Sequence, residues 1–303
     1  MDANHEILKR NVSGEIRKLG KYASESVEEL VNFGTHMFSW LMELEVDEAD
    51  PTINLLFRNY LDVVDSISLL LKVGSGDTAI ILLRSAFEIA MSILYILQEK
   101  TEERGLAYQL AHFKYIQKQN KKLDKGSDQY ASFLDILKKD INARNIIEKI
   151  EIKDRKPVID AIEQIIKQQI NEEWLRIEQL KKSSGTKIEW FHLFDGPRNL
   201  KGLCEKLEHH ALFDILYASW SLTSHGKASM NAHMPGGGIK RLRSPHDIKS
   251  IMTWTMNLTI EVYYKTLKNR IPNKTNNFGI WYHSVRSNYM DITDNNKKLL
   301  NRL

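Results

Sequence analysis

The stretch from Ala79 to Leu97 does most to limit what this chain can fold into. It is almost wholly apolar, it follows Gly74-Ser75-Gly76, and it carries Arg84 and Glu88 near its middle. An apolar run of this length without a breaker is a helix, because strands are much shorter. The two charges argue against a lipid-facing helix, since neither is tolerated against acyl chains. The expectation is a buried core helix and no membrane contact.

A chain of 303 residues with 15 Gly and 6 Pro has few breakers, which favours long helices over short strands. No segment shows a strand period. The fold class expected is all-α, a multi-helix bundle in a single helical domain over 1–303. Its core lies at about 50–125 and 198–270, with a long charged helical hairpin at about 128–182 and a tail helix at about 278–303.

Local signals place the elements. A first helix spans about 4–19, and a second begins near Ser24 or Ser26, with Ser26 and Glu29 as a capping box, and runs to about 45. Asp50-Pro51 reads as N-cap and first residue of a third, with Leu55, Leu56, Leu61, Val64 and Leu69 as its stripe. Asp77 caps the apolar helix, which ends near Gln98 and forms an antiparallel hairpin with the third. Thr101 opens a helix to about Lys122. Pro157 divides the charged region into helices at about 128–150 and 157–182. After a connector holding Trp190-Phe191 and Asp195-Gly196-Pro197 come a short helix at about 200–207 and another at about 211–224, closed by His225-Gly226. A basic loop at 227–243 leads to Ser244-Pro245, the N-cap and first residue of a helix to about Lys268. A tail helix follows at about 279–302.

Composition sets outer bounds. Hydrophobic residues make up 42% and charged residues 27%, which excludes a disordered chain. The lone cysteine, Cys204, excludes an internal disulfide framework and a cysteine-based zinc site. A charge of +4 permits nucleic-acid contact without requiring it. The N-terminus reads as charged helix rather than signal peptide, so a cytoplasmic location is expected.

Two constellations carry chemistry. Arg84 and Glu88 stand four apart on one face of the apolar helix. Arg before Glu is the poorer order for an intrahelical pair, so burial calls for a further partner from another helix. Tyr217, Ser221 and His225 fall on one face of the 211–224 helix, offering a phenol, a hydroxyl and an imidazole at its end. A helix C-terminus favours the protonated imidazole, which suits His225 to general acid or base work near neutral pH. The bland alternative is a capping histidine with Tyr217 in the core.

With Arg58-Asn59-Tyr60-Leu61-Asp62, the pattern Arg84-Ser85-Ala86-Phe87-Glu88 followed by Tyr217, Ser221 and His225 resembles a bacterial family of helical domains of unknown function, over roughly residues 50 to 265. That family is distantly similar to the HEPN superfamily, small helical bundles that include metal-independent ribonucleases of toxin and antiphage systems. The resemblance implies an RNA-directed activity without metal or cofactor. It also implies a site of His225, Arg84, Glu88, Ser221 and Tyr217. The usual HEPN signature is Arg, four to six residues, then His. No Arg stands in that register before His225, so Arg84 would supply the cation from another helix.

Arg241 and His246 do show that spacing. With Lys240 and Arg243 they sit at a predicted helix N-terminus, a candidate surface for phosphate or RNA. His209-His210 with His225 or His233 lacks carboxylate spacing for a metal, and no metal is expected. The competing expectation is a non-catalytic interaction protein, or an anion or nucleotide sensor, of the same kind of system. A homo-oligomer or a cognate partner protein is expected in either case.

Overall fold

The computed structural model describes residues 12–44, 47–143, 155–168, 170–182, 187–224 and 243–300, and its regular elements there are helical. The chain divides into two compact units, residues 1–100 with 200–303, and residues 101–199. The helix expected as part of the core at 101–122 thus groups with the charged region.

The first unit is built on α1 (Gly14–Met42), α2 (Asp50–Lys72), α3 (Gly76–Gln98) and α10 (Pro245–Arg270). α1 packs along α2, α2 along α3, and α10 against both α3 and α1. The short α8 (Leu200–Lys206), a π-helical turn (Leu212–Tyr217) and α9 (Ala218–Ser224) join it, as does α11 (Thr275–Leu300). In α3 every residue from Ile93 to Leu97 is buried, which explains why its apolar run has no polar side at that end. By length and composition alone α3 could cross a bilayer, yet 56% of its most apolar window is buried inside the fold.

α1 is one continuous helix of 29 residues where the sequence suggested a break near 20–24. Gly20 lies against the Leu71 carbonyl, where a Cβ would collide, so it is a packing residue rather than a stop. The Ser26 hydroxyl donates to the Tyr22 carbonyl one turn back (2.9 Å), so Ser26 is interior and not a cap. The expected stripe of α2 is also partly wrong. Leu55 and Leu69 are 63% and 55% exposed, and the buried face runs through Ile53, Leu56, Phe57, Tyr60, Val64, Ile67 and Leu71. Leu55 and Leu56 are neighbours, and a helix sends neighbours to different faces. Ser75, not Asp77, occupies the N-cap of α3. Ser244 and Pro245 open α10 as read from sequence, the Ser244 hydroxyl accepting the His246 amide (3.2 Å).

Two buried tyrosines of this core are hydrogen-bonded across helices. Tyr60 and Thr259 share a hydrogen bond (2.9 Å), and the Tyr263 hydroxyl donates to the Leu30 carbonyl (2.7 Å). Gly34 leaves the room that Tyr263 needs, because a Cβ there would fall on the phenol and on Leu61. Gly34→Ala should therefore lower stability by about 1–3 kcal/mol, the usual cost of overpacking. Denaturant unfolding measures this, and an unchanged midpoint would contradict it.

The second unit contains α4 (Thr101–Leu123), α5 (Asp128–Lys139), α6 (Lys156–Gln168) and α7 (Asn171–Lys182), with a 3-10 turn at Trp190–His192. The second helix of the expected hairpin is two helices, one ending at Gln168 and the next beginning at Asn171, and residues 144–150 of the first lie outside the described residues. Ala107 and Leu110 of α4, Ile162 and Ile166 of α6, Trp174 and Ile177 of α7, and Leu193 form its core. None of α5 is buried.

His192 is a buried titratable group of this unit. Its Nδ1 accepts the Glu189 amide (2.9 Å) and its Nε2 lies 2.9 Å from the Arg198 carbonyl, a pairing that suits the neutral ring. Burial, with Lys181 nearby, holds its pKa below the ordinary histidine value of 6.5, although the Arg198 carbonyl and Glu189 oppose the shift. Between the lowered folded value and the unfolded one, the unfolded chain binds the extra proton, so stability falls as pH drops through about 6.5. Hydrogen exchange of α7 between pH 7.5 and 5 should show faster opening at the acid end. The slope should shrink in His192→Gln, and an equal slope in that variant would contradict the assignment.

Candidate functional site

Arg84 and Glu88 lie four apart on α3, where the helix turns from its buried side toward solvent. Arg84 Nη2 and Glu88 Oε1 are 3.0 Å apart, with side chains 22% and 43% exposed. The further partner is Tyr217, the last residue of the π-helical turn. Arg84 Nη2 donates to the Tyr217 hydroxyl (3.0 Å), and that hydroxyl donates to Glu88 Oε1 (2.8 Å). The three groups thus close a triangle of hydrogen bonds.

Aromatic rings surround the triangle. Tyr217 stacks on Phe213 (centroids 5.0 Å, 23° between planes) and packs against Phe87 (5.6 Å), which also meets Trp220 edge-on (6.1 Å). The Arg84 guanidinium carbon lies 5.1 Å from the Tyr217 ring centre, within range of a cation–π contact. The Tyr217 bond, against the cost of burial and with help from Glu88, raises the Arg84 pKa, so its charge is fixed. Burial raises the Tyr217 pKa; Arg84 pulls it down and Glu88 pushes it further up, which keeps the phenol protonated at neutral pH. Arg84 Nε is buried and, among the described residues, without a hydrogen-bond partner. A buried guanidinium nitrogen left unpaired is costly, and such exceptions gather where a site has a second state or a ligand.

The other expected residues fall as follows. Ser221 is half-buried, one turn after Tyr217 on α9. His225, His233, Lys240 and Arg241 lie outside the described residues. The Arg243 amide donates to Asp77 Oδ2 in the first turn of α3 (3.0 Å), with Arg243 at φ 67°, and His246 is exposed. Since Ser244 already takes the His246 amide, that donor at the start of α10 is occupied. His209 pairs with Glu261 (3.0 Å), and among the described residues no group of three or more His, Cys, Asp or Glu could hold a metal. Cys204 is buried, and burial pushes its thiol up to about 12, which removes it as a nucleophile.

Sequence reading missed two parts of this site. The aromatic bed had one available signal, the four-residue spacing of Phe213 and Tyr217. The π-helical turn had none, because 212–217 is apolar at every position but Asp214, so a phase shift of one residue leaves no mark on the pattern.

A family model described as a family of unknown function, DUF5677, matches residues 52–236. The chain belongs to this family. The matched span takes in Arg58, the Arg84–Glu88 pair and Tyr217, so the family's extent includes both helical segments that build the triangle. No curated protein and no solved structure matches the chain.

Proposed function

We propose that this protein is a HEPN-like effector of the bacterial cytoplasm that cuts RNA without a metal, as part of a toxin or antiphage system. The observation that supports the reading is the meeting of Arg84, Glu88 and Tyr217 at a half-open face of an otherwise apolar helix. In this scheme the ribose 2′-oxygen attacks the adjacent phosphorus, and His225 removes its proton. The bond to the 5′-oxygen breaks, leaving a 2′,3′-cyclic phosphate, and that oxygen takes up a proton as it departs. Arg84 balances the charge that develops on the non-bridging oxygens. Glu88 orients Arg84 or His225, Ser221 contacts the phosphate, and Tyr217 holds the imidazole. Lys240, Arg241, Arg243 and His246 would hold flanking phosphates.

Cleavage of single-stranded RNA in EDTA by wild type and by His225→Ala tests this. Wild type should yield cyclic phosphate ends, and the variant should lose about 10²–10⁴-fold in rate, the usual contribution of a general base. No cleavage by wild type, or equal cleavage by both, would overturn it.

A second reading has its own support. Tyr217 and Glu88 already fill the Nη2 donor of Arg84, as a strut between α3 and the π-helical turn would. On that reading the protein is a non-catalytic interaction or anion-sensing component of the same kind of system, and binding without turnover would favour it.

A further inference from the structure

The turn Leu212–Tyr217 is π-helical and runs directly into the α-helical α9. Such turns are rare because each takes in an extra residue and gives up regular packing, so something must hold one in place. Tyr217 supplies that hold. Its hydroxyl is bonded on both sides, by Arg84 and to Glu88, and its ring is stacked on Phe213. The front of the turn is tethered separately, where Asp214 pairs with Lys201 of α8 (2.9 Å). The end that bears Tyr217 is held by what it grips on α3 and by its rings.

We propose that this turn is a register switch, with Tyr217 as the latch that holds Arg84 back from an incoming phosphate. The inference rests on the reading that Arg84 binds phosphate, and adds how access to it is controlled. Moving the extra residue toward α9 returns 212–217 to α-helix and rotates Tyr217 by about 100°, the angle per residue of an α-helix. The phenol then leaves Arg84 and Glu88. Nη2, the one Arg84 nitrogen bonded among the described residues, loses one of its two acceptors, and Nε already has none. A phosphate oxygen replaces the phenol oxygen and meets a guanidinium with donors to spare. In the latched state the same guanidinium is shared between a phenol and a carboxylate that neutralises it. A ligand that binds only the released state pulls the equilibrium toward it, as any population shift requires.

Tyr217→Phe in the full chain is the test, because it keeps the ring and removes both hydrogen bonds. Its crystal structure or backbone NMR should show 212–217 in the α-register, with the ring at 217 turned off α3. Affinity for inorganic pyrophosphate, measured by calorimetry, should rise at least five-fold over wild type, and the gain should vanish when Arg84→Gln is added. A variant that keeps the π-helical register and the wild-type affinity would overturn the latch. A changed register with no gain in pyrophosphate affinity would leave the latch standing and remove the phosphate-binding role of Arg84.

Discussion

Arg270→Met should lower the unfolding free energy of the first unit by about 3–5 kcal/mol, the cost of leaving buried charges without their partner. Arg270 closes α10, and its side chain is 4% exposed. Nη1 donates to Asp47 Oδ2 (2.9 Å) and Nη2 to Asp50 Oδ1, so one guanidinium ties the end of α10 to the start of α2. Asp50 also accepts the Asp47 amide (3.0 Å) and Asp47 that of Ala49 (2.9 Å), which fixes the turn into α2 from within. Burial pushes the Asp47 carboxyl up, but Arg270 and the backbone amides outweigh it and hold the pKa below the ordinary aspartate value of 3.8. A depressed folded pKa means that the contribution of Asp47 is complete above about 3.9 and is lost as pH falls through the folded value. Removing the cation alone strands two carboxylates, so Arg270→Met should cost far more than the triple change with Asp47→Asn and Asp50→Asn. Urea unfolding of the three proteins decides this. Equal losses in the single and triple variants would show that the cluster acts by packing and not by charge.

Arg84→Gln should reduce RNA cleavage by about 10²–10³-fold, the range seen when one donor to a developing oxyanion is removed. Its melting temperature should hold or rise, because a group kept for chemistry is commonly not the best choice for stability. Glutamine retains a donor for Tyr217 and relieves the unpaired Nε, so the fold has little to lose. Arg84→Lys should fare almost as badly, since a lysine cannot present two parallel donors to a phosphate. A large fall in melting temperature with no change in cleavage would assign Arg84 to the scaffold instead.

The bundle was legible where the chemistry is local. Ser244 and Pro245 announced the start of α10 because a cap and a proline act within one turn. The Ala79–Leu97 run gave α3, and Gly74, at φ 74°, marked the turn before it. Gly20 and Ser26 misled for the same reason, since each is a helix breaker by local preference. The close approach of Leu71 that requires Gly20 comes from another helix. The Arg270–Asp47–Asp50 cluster joins residues more than two hundred positions apart, and nothing near Arg270 in sequence distinguishes it from Lys268. At the candidate site, helical spacing put Arg84 beside Glu88 and called for a partner from elsewhere. The residue types named Tyr217 as a candidate, but its place on both groups depends on a π-helical turn that no periodicity encodes.

A double-mutant cycle of Arg84→Gln with Tyr217→Phe, read in both unfolding free energy and RNA turnover in EDTA, separates a working site from a strut. Strong non-additivity in RNA turnover, beside a stability coupling of about 0.5–1 kcal/mol from the Tyr217 latch, is the predicted result. Coupling of about 1–3 kcal/mol in stability, with no RNA turnover to couple, would contradict it.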